Sequence, residues 1–303
     1  MEDIYILNFD CIQCFEFAKY KTYFQILFTC AGIFPHIYSI SSISGVKQFD
    51  RLEIFKYLTS VDFGDSKILR PVITKYINSY WEKYGVYPLL RSIVIPENNF
   101  DVYKASDVTK LTNLNKFDHM GQLFGEDILN KMSNLTYLSF KTYSHDCINN
   151  FQFGHNLKVL CINGRDYAFP NFINHDKYLN LNTLKISCKA TECSDFIIEV
   201  PTLTHLFLFQ SGVNKYNARV KLNTFTNLKH LEIRYVDIED LGYVLSMGTN
   251  MRTLIMQSVG KLSDKSLVIS NMINLEYLES ISVNVELIEL KKMTRLNTVK
   301  IKY

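Results

Sequence analysis

The sequence of 303 residues predicts an α/β solenoid, with a curved parallel sheet inside and helices outside. Two patterns carry this prediction: an apolar motif of the form L-x-x-L-x-L recurs along the chain, and the period between its copies changes to a helical one. The apolar fraction of 47% is also enough to build a large core. We assign residues 46–303 to the solenoid, with clear repeats from about residue 86.

The repeat is defined by apolar residues at fixed spacing. Its first position advances by 24, 21, 22, 24, 22, 25, 23, 24 and 21 residues from one unit to the next. The last two apolar positions of a unit alternate inward on a short strand, and the first closes the turn before it. Because one unit cannot bury its apolar face alone, successive units stack. The first positions are Leu90, Leu114, Leu135, Leu157, Leu181, Leu203, Leu228, Met251, Leu275 and Leu296.

Asparagine stands directly before the first apolar position in seven units. A short amide side chain tolerates left-handed backbone geometry, so we expect these residues to form the turn from helix to strand. They are Asn113, Asn134, Asn156, Asn180, Asn227, Asn250 and Asn274.

Helical spacing between the strands predicts the outer layer. Two such sets are Ile238, Leu241, Val244 and Leu245, and Leu287, Leu290 and Met293. A further helix is predicted over residues 67–84, and we expect its Trp81 to pack into the core.

These repeats resemble the leucine-rich-repeat superfamily over roughly residues 86–303. That family usually has Asn or Cys at the ninth position of each unit, where the side chain bonds the backbone of the turn. Here the ninth positions are Tyr143, Arg165, Lys189, Ser211, Val236, Val259 and Val283. We therefore expect a divergent member with irregular turns and no amide ladder. Ser280 occupies an inward position, which predicts a register shift to Ile281.

Residues 1–45 break the repeat, and the run from Leu7 to Phe34 predicts an all-α segment of two or three short helices. The segment resembles an F-box, although Asn8 stands where that family usually has Pro. The resemblance implies that these helices dock on the Skp adaptor of a cullin–RING ubiquitin ligase while the repeats capture the substrate. The alternative is a cap over the open end of the solenoid. The adaptor contacts would be Leu7, Ile12, Phe15, Phe24, Leu27, Phe28 and Phe34.

The sequence favours neither a zinc site nor an enzyme. Cys11, Cys14, Cys30 and His36 imitate a zinc spacing, but the apolar neighbours of the first pair favour buried thiols. The sequence lacks a phosphate loop, a nucleophile elbow, an H-E-x-x-H pair and a dinucleotide fingerprint. We therefore expect no metal, no cofactor and no catalytic residue.

Binding is expected on the concave face, because side chains between the anchors point out of the sheet. Phe207 and Phe209 interrupt the apolar–polar alternation, so two aromatic rings should project where solvent is expected. The predicted partner-binding residues are Tyr137, Lys185, His205, Phe207, Phe209, His230, Glu232, Arg234, Thr253, Ile255, Gln257, Tyr277 and Glu279.

Charge and composition restrict the class of partner and the cellular location that the sequence predicts. Lys and Arg number 33 against 30 Asp and Glu, a balance that favours neither a membrane surface nor nucleic acid outside a ribonucleoprotein. The acidic start and seven scattered cysteines predict a cytoplasmic or nuclear protein with free thiols. With 29 Ile and 25 Asn against 6 Ala, the composition favours an A/T-rich genome, such as that of a large DNA virus.

Two functions follow from these observations. The first is a non-enzymatic protein–protein interaction protein, in its narrower form an F-box-type substrate receptor. The alternative is a structural or stoichiometric component of a large assembly, such as a virion or ribosome.

Overall fold

The computed structural model divides the chain into two compact units, Met1–Phe140 and Lys141–Tyr303. Its described residues are 7–8, 39–41, 60–62, 81–82, 85, 90–95, 110–122, 131–142, 156–164, 172–174, 178–188, 194–210, 218–222, 226–239, 241–246, 248–259, 272–282, 290 and 293–302.

The first unit contains a parallel sheet whose strands follow chain order. Its strands are β1 (Leu7–Asn8), β2 (Ser39–Ser41), β3 (Ser60–Asp62), β4 (Ser92–Ile95) and β5 (Lys116–Gln122), and β6 (Tyr137–Thr142) begins in the same unit. Ile93 lies opposite Phe117, and both side chains are buried. The predicted parallel stacking is therefore confirmed here.

The prediction of helices over residues 7–34 is not confirmed, and at Leu7–Asn8 the structure has a strand instead. Leu7 lies in β1 and pairs in parallel with Ile40 of β2. Pairing with a neighbouring strand satisfies the backbone groups of Leu7 and Asn8, and this overrides the local helical period. The other predicted adaptor contacts, Ile12, Phe15, Phe24, Leu27, Phe28 and Phe34, lie outside the described residues.

Trp81 also differs from its prediction. Trp81 and Glu82 are helical, and the N–H of Gly85 donates to the carbonyl of Trp81 at 2.8 Å. Gly85 has a φ of 68°, the left-handed geometry that closes a helix. The predicted packing of Trp81 into the core is therefore wrong, because the residue is 45% exposed.

The first sheet of the second unit is built from seven parallel strands. They are β7 (Val159–Gly164), β9 (Thr183–Cys188), β11 (His205–Gln210), β13 (His230–Arg234), β15 (Thr253–Gln257), β16 (Tyr277–Ile281) and β17 (Thr298–Lys302), each hydrogen-bonded to the next. Leu184, Leu206, Leu231, Leu254 and Leu278 share one register row and are fully buried. The period of two therefore places the repeat's apolar anchors in the core, as predicted.

A second parallel sheet occupies positions where helices were predicted. Its strands are β8 (Phe172–Asn174), β10 (Ser194–Glu199), β12 (Ala218–Leu222) and β14 (Asp237–Glu239), in the order β14-β12-β10-β8. Ile198, Val220 and Ile238 are buried, and Val220 lies opposite Ile238. Short segments with alternating β-branched residues gain more from lateral pairing than from an isolated turn of helix.

One predicted outer helix is confirmed in part. Helix α1 (Leu241–Ser246) buries Leu241, Val244 and Leu245, whereas Ile238 belongs to β14 rather than to the helix. In the second predicted helix, Leu290 is helical and Met293 is buried, while Leu287 lies outside the described residues.

The predicted register shift at Ser280 is wrong. Ser280 pairs with Met256 and with Ile301, and it is fully buried in the inward row. A shift to Ile281 would turn Leu278 out of the core, since a slip of one residue moves every side chain to the opposite face. The small serine is therefore accommodated inside.

The repeated asparagines form an amide ladder of their own, which corrects two predictions. None of the described asparagines has a positive φ. Instead, the Nδ2 groups of Asn134, Asn227, Asn250 and Asn274 donate to carbonyls of the preceding unit, at Thr112, Pro201, Thr226 and Thr249, over 2.7 to 3.1 Å. At the ninth position, Val236 and Val259 are buried apolar residues. The ladder therefore exists, but it lies before the first leucine.

Left-handed backbone geometry is found at the other end of the strands. Tyr235, Ser258 and Ser282 follow β13, β15 and β16, with φ values of 59°, 46° and 56°. Their N–H groups donate to the carbonyls of Gln257, Ile281 and Lys302, at 2.8, 2.9 and 2.7 Å. The end of each of these strands is thereby hydrogen-bonded to the strand of the following repeat. The second unit is a parallel β-solenoid in which strands replace part of the predicted outer layer of helices.

Candidate interaction surface

Three lateral rows, which we call the outward face, are formed by the outward side chains of β9, β11, β13, β15, β16 and β17. Parallel pairing in constant register places equivalent positions side by side. The first row is Thr183, His205, His230, Thr253, Tyr277 and Thr298; the second is Lys185, Phe207, Glu232, Ile255, Glu279 and Lys300; the third is Ser187, Phe209, Arg234, Gln257, Ile281 and Lys302.

All the predicted partner-binding residues except Tyr137 lie on this face. Tyr137 belongs to the first unit, where the ammonium of Lys116 lies 5.0 Å from the centre of its ring. The predicted exposure of the two phenylalanines is met in part, because Phe207 and Phe209 are half-buried among neighbouring side chains. The face is therefore an organised surface rather than a pair of isolated rings.

An aromatic cluster occupies the first two rows at β11 and β13. The rings of Phe207 and His230 are 4.6 Å apart between centroids, and those of His205 and His230 stack at 5.9 Å. Thr204 Oγ1 lies 2.9 Å from His205 Nδ1 and so orients that imidazole. Aromatic packing of this kind supplies large contact area with few rotatable bonds.

The surroundings of both histidines favour the neutral imidazole. Burial lowers the pKa of His230, although the nearby Glu232 carboxylate opposes this, and burial together with Lys229 lowers the pKa of His205. His230 Nε2 is buried without a hydrogen-bond partner and lies 3.9 Å from Glu232 Oε2.

Phe209 lies between two cations. The Lys185 ammonium is 5.6 Å from the ring centroid, and the Arg234 guanidinium carbon is 6.0 Å from it. Both distances are within reach of a cation–π contact. Phe209 is therefore an apolar ring with a positive charge on each of the two neighbouring strands.

A polar network fixes Arg234. Its Nε donates to Glu232 Oε1 at 2.6 Å, and its Nη1 donates to Gln257 Oε1 at 3.0 Å. Gln257 in turn donates from Nε2 to the Tyr235 hydroxyl at 2.6 Å. Sequence reasoning missed Tyr235, because it lies beyond the strand; its place one residue after the last outward position was the available signal.

The opposite end of the outward face has a second charged group. The Tyr277 hydroxyl donates to Glu279 Oε2 at 2.6 Å, and the Lys300 ammonium lies 3.8 Å from the same oxygen. Hydrogen bonding with Tyr277 and the charge of Glu279 raise the pKa of Lys300. The carboxylates of Glu232 and Glu279 are thus both engaged by neighbours on the face itself.

The described residues offer little for metal or acid–base chemistry. No three His, Cys, Asp or Glu side chains among them are grouped to hold a metal ion. Cys11, Cys14, Cys30 and His36 lie outside the described part of the chain. Thr204 also lies 3.1 Å from the Asn182 carbonyl, so its hydroxyl is already engaged beside His205.

Cysteine and hydropathy observations complete the description. Cys161 and Cys188 are not joined in a disulfide, and burial raises the pKa of Cys188 to about 12. Within the described segments, no helix has the length and apolar character needed to cross a membrane.

Comparisons with known proteins give a limited result. No model of a protein family matches the sequence, and no curated protein is significantly similar to it. Among solved structures, the chain is similar to the crystal structure of an internalin from Listeria monocytogenes, with 17% sequence identity and a TM-score of 0.45. The match covers 86% of this chain and 77% of the internalin chain. At this level of similarity, the likeness decides nothing about what this chain binds.

Proposed function

We propose that this protein is a non-enzymatic binding protein whose outward face holds a partner protein. The main support is the register: six neighbouring strands bring aromatic, cationic and amide side chains into three rows on one rigid sheet. A row of this kind is assembled from units far apart in the chain, so it is specific to this sequence.

The chemistry of the face supports protein binding. Interface hot spots are enriched in aromatic residues and arginine, and they work best when their geometry is fixed before binding. Here Phe207 packs on His230, and Arg234 is held by two hydrogen bonds. Less ordering entropy is therefore lost when a partner docks.

Affinity capture with matched variants tests this proposal. The immobilised full-length protein is exposed to an extract of its native cell, and bound proteins are identified by mass spectrometry. We expect Phe207→Ala/Phe209→Ala to lose the specific partner, while Lys158→Ala/Lys221→Ala, at exposed positions off the three rows, retains it. Identical capture by all variants, with unchanged folding by circular dichroism, would contradict the proposal.

Two finer hypotheses stay predictions. Docking of residues 7–34 on a ubiquitin-ligase adaptor rests on the sequence resemblance alone, and the strand at Leu7 does not favour it. An intracellular assembly component, from a virus or another A/T-rich genome, would use the same outward face. Removing residues 1–45 separates them, since only adaptor and cullin capture would be lost.

A further inference from the structure

The charges around Phe209 are unevenly distributed. The outward side chains of β9 and β11 include Lys185 and no carboxylate. On β13, the Glu232 carboxylate is bonded to Arg234 Nε at 2.6 Å, and its other oxygen faces His230. The Glu232 carboxylate is therefore directed along β13 towards Arg234 and His230, and not towards Lys185.

Lys185 keeps its charge available. The side chain is exposed, and its described contact is with the aromatic face of Phe209 at 5.6 Å. A cation over a ring retains most of its ability to attract an anion, since the contact is weak at an exposed site. Lys185 therefore provides a positive charge beside an apolar surface.

Arg234 adds a second and oriented charge. Nε and Nη1 have partners within the face, whereas Nη2 has none among the described residues. A guanidinium fixed in this way donates to a carboxylate with less loss of rotamer entropy than a mobile side chain. Gln257 is itself held by Tyr235, so the geometry does not depend on Arg234 alone.

Apolar surface lies beside these charges. Phe207 is next to Lys185 in the second row, Ile255 lies farther along the same row, and both are half-buried. A ligand that satisfied the cations would therefore also contact apolar side chains. This combination fits a side-chain carboxylate that stands next to a large apolar residue.

We propose that the outward face, at Lys185, Phe209 and Arg234, recognises a partner protein segment that carries an acidic residue beside a large apolar one. This inference rests on the proposed function and names the partner's chemistry. Nucleic acid fits less well, because binding to a phosphate backbone relies on many cations along one stripe. Here two cations flank one ring, and the whole chain carries a net charge of only +3.

Selection from a random peptide library displayed on phage tests the inference with the full-length chain. We expect the selected peptides to be enriched in Asp or Glu next to Phe, Leu, Ile or Trp. With Lys185→Gln/Arg234→Gln the acidic preference should vanish while the apolar preference persists. The control Lys158→Gln/Lys221→Gln removes the same charge from exposed positions off the three rows and should keep both preferences.

A synthetic peptide of the selected sequence then gives affinities by fluorescence anisotropy. We expect Lys185→Gln/Arg234→Gln to weaken binding about tenfold, equal to about 1.4 kcal/mol, and added salt to weaken the wild type in the same direction. Circular dichroism and thermal unfolding confirm that each variant is folded.

The outcomes separate the two proposals. Peptides that depend on Phe207 and Phe209 but show no acidic preference would overturn the inference and leave the proposed function standing. Acidic peptides that bind Lys185→Gln/Arg234→Gln unchanged would also overturn it. No selected peptide, or peptides indifferent to Phe207→Ala/Phe209→Ala, would count against both. Displacement of the peptide by a single-stranded DNA probe at equal concentration would show that the partner class is wrong.

Discussion

The two faces of the first sheet in the second unit obey different rules. On the inner face, Leu206, Leu231 and Leu254 are in register and fully buried, and neighbouring units carry nearly the same residue. On the outer face, the adjacent positions Phe207, Glu232 and Ile255 differ from strand to strand. The inner face therefore repeats one residue type along the sheet, whereas the outward face has a different side chain on each strand.

The largest expected contrast is between neighbours on β15. Leu254→Ala removes a fully buried side chain and should lower the free energy of unfolding by about 3 kcal/mol. Thr253→Ala changes a half-buried outward position and should cost less than about 0.5 kcal/mol. Urea denaturation measures both, and equal losses would contradict the distinction between the faces.

The amide ladder should give the next largest effect. Asn250→Ala removes the donor to the Thr226 carbonyl, at 2.7 Å, and should cost about 1 kcal/mol. Asn250→Asp keeps the size but loses the N–H donor, so a similar loss is expected. If Asn250→Asp behaved like the wild type, the ladder would contribute shape rather than hydrogen bonding.

Left-handed geometry should give a smaller effect of opposite sign. Ser258 has a φ of 46°, which costs a residue with a Cβ about 1 kcal/mol relative to glycine, while glycine loses more chain entropy. We expect Ser258→Gly to raise the free energy of unfolding by about 0.5 kcal/mol, and Ser258→Val to lower it. A destabilising Ser258→Gly would contradict this account.

The smallest expected effect is a pH dependence of stability that arises from the two histidines of the outward face. The folded pKa of His205 and of His230 is lowered from 6.5, so the unfolded chain binds protons more readily. Their contribution to stability is complete above about pH 6.5 and is lost as the pH falls below it. Thermal unfolding of His205→Gln/His230→Gln should depend less on pH between 7 and 5 than that of the wild type. An unchanged slope would mean that other groups govern acid sensitivity.

The sequence predicts the buried inner face well, but it predicts the hydrogen-bond network of the outward face poorly. The period of two predicts that Leu206 and Leu208 point into the core, and the same period places Phe207 and Phe209 outward. The bond from Gln257 to Tyr235 joins residues 22 apart, and it depends on a left-handed residue after the strand, which no local pattern reveals. In the second sheet, β8 and β14 have three residues each, too few to show a period.

Terminal position also limits what the pattern predicts. Val299 occupies the register row of Leu278, but it is 46% exposed while Leu278 is fully buried. Spacing indicates which way a side chain points, whereas burial also requires a neighbour on the far side.

The bonds at the two ends of each strand carry a consequence for engineering. Asn250 reaches back to Thr226, while Ser258 reaches forward to Ile281, so the unit between them is attached at both sides by the same pair of connections as its neighbours. Such a repeat makes equivalent hydrogen bonds to the repeat before it and to the repeat after it. Duplicating residues 250–273 in frame should lengthen the solenoid by one turn and widen its outward face while keeping the existing framework.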